Sequence, residues 1–402
     1  MQTTIVPAQR ALEFGIYRDG DNNLDASQGE VVEQALDVSA KDSRIGFAVE
    51  DTTARAGGAL HTDDFTIADG GIGDAHAGRA HDMASPANLA QFVAHTLDEA
   101  QKSGAKQTWI DLVDHGAGDG GGLEADSTHH VMPMPQIAQA IADGVALHAK
   151  EHPEDAGRNV DGVVANQCLM ASLGFADALS SAGVKYLAAS PETMLSPGTP
   201  TTVAEAIASH ENDPSAMAKA VVGNVMHTHY GDGIGDSFGP AAAFDVLDLD
   251  PAKIATMRAS VKSLNDAMAT AAHDPGARAA MRDDVDSIDG MVRFPQSKGL
   301  PWHADRPAMA TYDAIANDSR LSDDVRTKAL AAERDVNALV LAHRESHGFA
   351  PFGGSDYSDA AGPTVHLPTD RKQVDPWAPA ISETDNAFYK ATDASDLVNA
   401  LA

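Results

Sequence analysis

The chain contains one cysteine, Cys168, in 402 residues. An intramolecular disulfide needs two, so cysteine use gives no staple and no clue to the redox compartment. Aromatic residues make up only 5% of a chain that is 43% hydrophobic, so small and aliphatic side chains must fill much of the core. Positive charge is scarce. Lys and Arg number 28 against 59 Asp and Glu, a formal net charge of −31. Such a surface repels phosphate backbones and anionic headgroups, which argues against nucleic acid and membrane partners. It suits basic substrates or cations, and it also serves solubility in salt, where self-repulsion is screened. No apolar run is long enough to span a bilayer. The opening "MQTTIVPAQRALEFGIY" lacks a basic segment followed by a long apolar one. The expected location is the cytoplasm, or outside the cell if a leader has been removed.

What is present is an alternation of strand-like and helix-like runs. "LEFGIY" (12–17), "SRIGFAVED", "QTWIDLVDHG", "VDGVVAN" and "KYLAAS" read as buried strands. "LDASQGEVVEQALDVSA", "PANLAQFVAHTLDEAQKSG", "MPQIAQAIADGVALHAKE" and "CLMASLGFADALSSAG" read as helices, the second with Pro86 at its start and Gly104 as its stop. "ALHTDDFTIADG" reads as a hairpin arm. This pattern predicts an α/β fold, a largely parallel sheet with helices on both faces. Sites in such sheets form at the carboxyl ends of strands, here after Tyr17, Val113, Asn166 and Ser190. Two regions are expected: an α/β domain over residues 1–250, and a mostly helical section over 251–402. The second section is broken at "RFPQSKGLPWHADRP", returns one strand near 362–368 and closes with a helix over "ETDNAFYKATDASDLVNALA".

Cys168 lies where the strand "VDGVVAN" meets the next helical run. A thiol at a helix start feels the positive end of the helix dipole, which lowers its pKa. A lone cysteine is also, commonly, a small buried core residue. His115 follows another strand, so both residues fall on the same edge of the predicted sheet. A histidine there can take the thiol's proton and protonate a leaving amine. Gly116 lets a substrate approach the backbone and offers an N–H to an oxyanion.

Other motifs point elsewhere or nowhere. "YRDGDNNLD" places Asp19, Asp21, Asn23 and Asp25 at alternate positions, with Glu30 twelfth from Asp19. An EF-hand needs glycine where Leu24 stands and a helix where a strand is predicted, so the segment reads as a polar loop lining a site. "GDGIGD" (231–236) lacks the Lys-Ser/Thr of a phosphate loop. "THH" (128–130) and "MHTHY" (226–230) are scattered histidines without an HExxH motif, and no metal ligands are assigned from them. No G-x-S-x-G elbow occurs, which disfavours a serine hydrolase.

At these residues the sequence resembles the clostripain family of cysteine peptidases, in the caspase–gingipain–legumain clan. The resemblance lies in ordered blocks: "IYRDGDNNLD", "IDLVDHGAGDGG", "NQCLMASLGFADAL", "YLAASPETMLSPGTP" and "GPTVHLP". It is clear over residues 12–200 and loose to about 370. It implies a caspase-like α/β/α fold and a Cys-His dyad. Cys168 would be the nucleophile and His115 the general acid/base, with the N–H groups of Gly116 and Cys168 as the oxyanion hole.

The family often carries an aspartate two residues before the cysteine, where it helps bind a basic P1 side chain. Here Asn166 stands in that place, and Gln167 replaces the small residue beside the cysteine. Asn166, Gln167, Ser190, Glu192, Asp19 and Asn22 are the substrate-binding candidates. Glu192, Asp19 or Asp21 could restore the missing charge and a preference for Arg or Lys.

Family members can cleave themselves between the two blocks. The polar stretch "HAKEHPEDAGRNVDG", read as loop-like, offers Lys150 and Arg158 as sites. The resemblance requires no cofactor, allows a calcium response and implies peptide substrates; a monomer is expected. The competing reading is a catalytically silent caspase-like fold acting as an acidic, calcium-responsive binding protein.

Overall fold

The computed structural model describes residues 9–54, 59–78, 80–194, 198–230, 242–290, 304–346, 360–369 and 386–401. The chain starts with strand β1 (Leu12–Asp19), short helix α1 (Asp25–Gln28), helix α2 (Glu30–Lys41) and strands β2 (Ile45–Ala54), β3 (Leu60–Ala68) and β4 (Gly71–Ala77). Helix α3 (Pro86–Ser103) leads to β5 (Gln107–Val113), a small hairpin of β6 (Gly122–Ala125) and β7 (His130–Met132), and helix α4 (Met134–Glu151). Then follow β8 (Gly162–Asn166), α5 (Leu173–Ser181), β9 (Tyr186–Ala189), α6 (Val203–Ser209), α7 (Pro214–Tyr230) and β10 (Ala243–Asp248). Beyond residue 250 come helices over Pro251–Ala271, Pro275–Ser287, Ala308–Asn317 and Asp323–Asn337, with strands β11 (Asp305–Pro307), β12 (Val340–Glu345) and β13 (Thr364–His366).

One nine-stranded sheet organises these elements, in the order β12-β10-β9-β8-β5-β1-β2-β3-β4. The strands from β9 to β2 run parallel, and both flanks are antiparallel. The central strands are buried along their length, as β1 and β8 show, because helices cover both faces. Alternation along β5 sends Ile110 and Leu112 to a core under α3, α4, α5 and the Pro251–Ala271 helix. Trp109 and Val113 face the other core, under α2, α6 and α7. This is the predicted α/β class.

Several boundaries differ from the sequence expectation, each for a local reason. The helix after Cys168 starts at Leu173, not at the cysteine. The Ser172 hydroxyl accepts from the Phe175 N–H at 3.1 Å and caps it there. The run over residues 24–40 is two helices divided at Gly29. The terminal helix is also two, Ala387–Ala391 and Ala394–Leu401, and Asp393 between them has a left-handed φ of 50°.

Among the described residues, section 251–402 supplies three strands rather than one. "VLAHRE" (340–345) is built of helix-compatible residues, yet it pairs antiparallel with β10 at the sheet edge. There His343 Nδ1 meets Asp245 Oδ1, its cross-strand partner, at 2.5 Å. The late strand, β13, pairs with β11 outside the main sheet. "GDGIGD" and most of "RFPQSKGLPWHADRP" lie outside the described residues. Among the described residues no helix is long and apolar enough to cross a membrane.

Candidate active site

β5 and β8 are parallel neighbours, and Val113 is in register with Asn166. His115 and Cys168 therefore stand at equal offsets, two residues past the ends of adjacent strands. Further contacts join the two loops. The Gln167 Nε2 donates to the main-chain oxygen of His115 at 2.9 Å. The Asp114 N–H donates to the Asn166 oxygen at 3.4 Å. A Cβ on Gly116 would lie 2.1 Å from the Cys168 carbonyl oxygen and 2.9 Å from the Gln167 Cβ. Only glycine permits that approach.

The His115 ring is half-buried, and its Nε2 lies 2.7 Å from Asn23 Oδ1. With that oxygen accepting, Nε2 carries the proton and Nδ1 is the basic nitrogen, a tautomer assigned from the contact. Asn23 was absent from the sequence-derived candidates. Its neighbour Asn22 was among them, but Asn22 holds the loop together. Its Nδ2 reaches Asp114 Oδ1 at 2.6 Å and the oxygens of Asp19 and Glu124 at 3.2 Å, and its Oδ1 accepts from the Leu24 N–H at 2.8 Å.

Asp114 is buried directly below His115 and accepts from the His115 N–H at 2.5 Å and from the Glu124 N–H. Burial, reinforced by the nearby Asp19 charge, pushes its carboxyl well above the ordinary range, against the pull of its donors. Asp19 is fully buried and accepts from the Asp21 N–H at 2.9 Å. Burial raises it to about 7. Asp21 in turn holds the Ser127 N–H at 3.2 Å. Of the other EF-hand-like positions, Asp25 pairs with Arg18 at 2.7 Å.

Cys168 sits in the loop before α5, not at the helix start. The dipole acts within the first turn, so the lowering of its pKa expected from the helix does not apply. Its sulfur accepts from the Met194 N–H at 3.3 Å and faces the Met194 oxygen at 3.7 Å. Burial raises the thiol pKa; the Met194 N–H opposes the rise and the Glu192 charge adds to it. The sulfur rests against the main chain of its neighbouring loop. Leu169, the next residue, has a left-handed φ of 68°, a strain that in non-glycine residues clusters at functional sites.

The loop after β9 is strapped to the cysteine loop. The Leu169 N–H donates to the Glu192 oxygen and the Ala171 N–H to the Ser190 oxygen, both at 3.0 Å. The Ser190 hydroxyl donates to the Glu192 oxygen at 2.8 Å and accepts from its N–H at 3.1 Å. Glu192 is fully buried. Asn166 pairs with the main chain of one residue further on: Nδ2 donates to the Thr199 oxygen at 2.9 Å, and Oδ1 accepts from the Thr199 N–H at 2.7 Å. Asn166 and Gln167 therefore hold main chain in this structure.

A second buried network reaches the His loop from the far end of the chain. Asp119 accepts from the Ser172 hydroxyl at 2.8 Å and from the Tyr389 hydroxyl. Burial raises Asp119 to about 6, with the charge of Asp305 adding to the rise. His366 Nδ1 meets Asp305 Oδ1 at 2.7 Å, and the His366 N–H donates to the Tyr389 hydroxyl at 3.1 Å. Asp114, by its place in "VDHG", was legible as a support for the histidine. Tyr389, 270 residues from Asp119, was not.

Lys150 is exposed but lies in the last turn of α4, not in a loop. Arg158 is half-buried, its guanidinium on Asp155 Oδ2 at 2.5 Å and the Ala105 oxygen at 2.9 Å.

No family model matches the chain, and no curated protein matches it. Solved structures do. An inactive zymogen C11 protease from Parabacteroides distasonis superposes with a TM-score of 0.64 at 16% identity, covering 96% of this chain and 99% of its own. A secreted C11 cysteine protease from Bacteroides thetaiotaomicron, in complex with an irreversible peptide inhibitor, superposes with a TM-score of 0.67 at 13% identity, covering 96% and 99%. The fold is that of the C11 cysteine proteases, a caspase-like α/β architecture.

Proposed function

We propose that this protein is a cysteine endopeptidase that uses Cys168 and His115. The observation that carries the reading is their equal offset from the Val113–Asn166 register pair, with Gly116 pressed against the Cys168 backbone, on the fold of the C11 proteases. His115 Nδ1 removes the thiol proton, and the thiolate attacks a peptide carbonyl. The N–H groups of Gly116 and Cys168 receive the developing oxyanion. His115 then protonates the leaving amine, and water hydrolyses the acyl-enzyme. The thiol must first leave Met194.

For P1 we propose Arg or Lys. Asn166 is committed to Thr199, so Glu192, whose charge reaches Cys168, is the proposed charge partner. Self-processing is proposed after Arg158, which follows a single turn of 3-10 helix, rather than after helical Lys150. The docking of the Cys168 sulfur on Met194 favours a second reading, a silent binding protein of the same fold.

One experiment tests both. Wild type and Cys168→Ala are incubated with a peptide library varied at P1, with and without calcium. Cleavage by wild type alone supports the peptidase. No cleavage by either, or equal cleavage by both, overturns it.

A further inference from the structure

On the face away from the dyad, α3 and the end of α4 bring three metal-ligating side chains together. Asp98 comes from α3, His148 from the last turn of α4, and His152 is the residue that follows the helix. One ligand atom from each lies within 4.8 Å of the others. His152 caps α4 with non-helical backbone, φ −123° and ψ 70°, and its ring stacks on that of His148 with centroids 5.0 Å apart. His148 is fully buried, while Asp98 and His152 are partly exposed, which leaves a route in from solvent.

We propose that Asp98, His148 and His152 form a binding site for a divalent transition-metal ion of the zinc type. Asp98 Oδ1 stands 2.6 Å from His148 Nδ1 and 3.3 Å from His152 Nε2. Ligands on a tetrahedral zinc at ~2.0–2.1 Å are separated by roughly 3.3 Å. The second spacing already fits, and the first needs a small opening. The outer atoms are placed as a metal site requires. A ligating imidazole turns its other N–H to a carboxylate. His148 Nε2 faces Asp155 Oδ2 at 3.4 Å, and His152 Nδ1 faces Glu154 Oε1 at 3.4 Å.

In the structure His148 Nε2 is buried without a hydrogen bond. If Nδ1 holds the neutral ring's proton for Asp98, Nε2 turns a lone pair toward Asp155. Metal on Nδ1 moves that proton to Nε2 and satisfies both ends. Two imidazoles and a carboxylate suit zinc, cobalt or nickel rather than calcium, which takes oxygen ligands. Lys150 lies between the two histidines, so a bound ion pins the helix end that carries it. The spacing His-x-x-x-His is plain in the sequence; only the packing of α3 on α4 supplies the third ligand.

The test uses the full chain with Cys168→Ala, which removes the thiolate as a rival ligand and any self-cleavage. Zn²⁺ is titrated calorimetrically, and Co²⁺ is added to read a tetrahedral visible spectrum. One Zn²⁺ per chain is expected, weakened by about 100-fold or more in His152→Ala and in Asp98→Asn. Both positions are partly exposed, and circular dichroism checks that each variant folds. Zn²⁺ should also slow trypsin cleavage after Lys150 in the parent and not in His152→Ala. The inference is overturned if the folded variants bind Zn²⁺ as the parent does, or if the parent binds none. The latter result means that the three side chains hold one another without a metal. None of these readouts depends on the protein's own activity.

Discussion

The side-chain amide of Gln167 donates to the main-chain oxygen of His115 at 2.9 Å. The residue beside the proposed nucleophile thus fixes the backbone of the proposed general acid/base. Gln167→Ala removes one hydrogen bond of about 1 kcal/mol. The expected outcome is a fall in kcat of roughly fivefold to tenfold with KM little changed, because positioning and not substrate contact is lost. Steady-state kinetics on a cleaved peptide check this. A rise in KM with kcat intact returns Gln167 to the substrate-binding set.

Asn23 holds the His115 ring through Nε2. Asn23→Asp keeps an acceptor and adds a negative charge, which favours the imidazolium. The acid limb of the kcat/KM profile should move to higher pH. Asn23→Ala should lower activity without that move. An acid limb that stays in place in Asn23→Asp speaks against the contact.

The Cys168 thiol is held above its ordinary pKa by burial, with Glu192 adding to the rise. In the resting protein its alkylation by iodoacetamide should therefore still accelerate as pH rises past 9, since only the thiolate reacts. A rate that levels off below pH 8 would show a thiolate already formed at rest, and with it a different resting geometry.

Asp119 titrates at about 6 in the folded protein, against ~4 for an ordinary aspartate. The native state holds this proton more tightly than the unfolded chain. Its contribution to stability is therefore complete below pH ~4 and is lost as pH rises through 6. Asp119→Asn should lose less stability than the parent between pH 4 and 7 in urea unfolding. Parallel curves for the two proteins would sink this assignment.

Asn166 donates to the Thr199 oxygen and accepts from the Thr199 N–H. Asn166→Asp restores the family's residue but loses the donor and buries a charge. It should destabilise the fold by about 1–3 kcal/mol, read as a lower thermal midpoint. Unchanged stability would mean that the amide is free to turn toward a substrate.

The sheet class, the two strand ends that carry Cys168 and His115, and the glycine after His115 could all be read from the residues alone. These follow from local signals: apolar runs for buried strands, periodic helices between them, and a strand-end rule that needs no coordinates. Ser172 was also there to be read as a cap, and it moves the helix away from the cysteine.

What those residues touch depends on how distant segments pack. Asn166 and Gln167, read as pocket residues, hold main chain in this structure. Strand β12 uses helix-compatible residues because pairing with β10 outweighs propensity. The pairing of Asp119 with Tyr389, and of Asp98 with His148 and His152, joins residues far apart in the chain. Sequence spacing governs contacts within one helix or strand. Contacts between elements depend on which faces are buried together, and that is settled by packing.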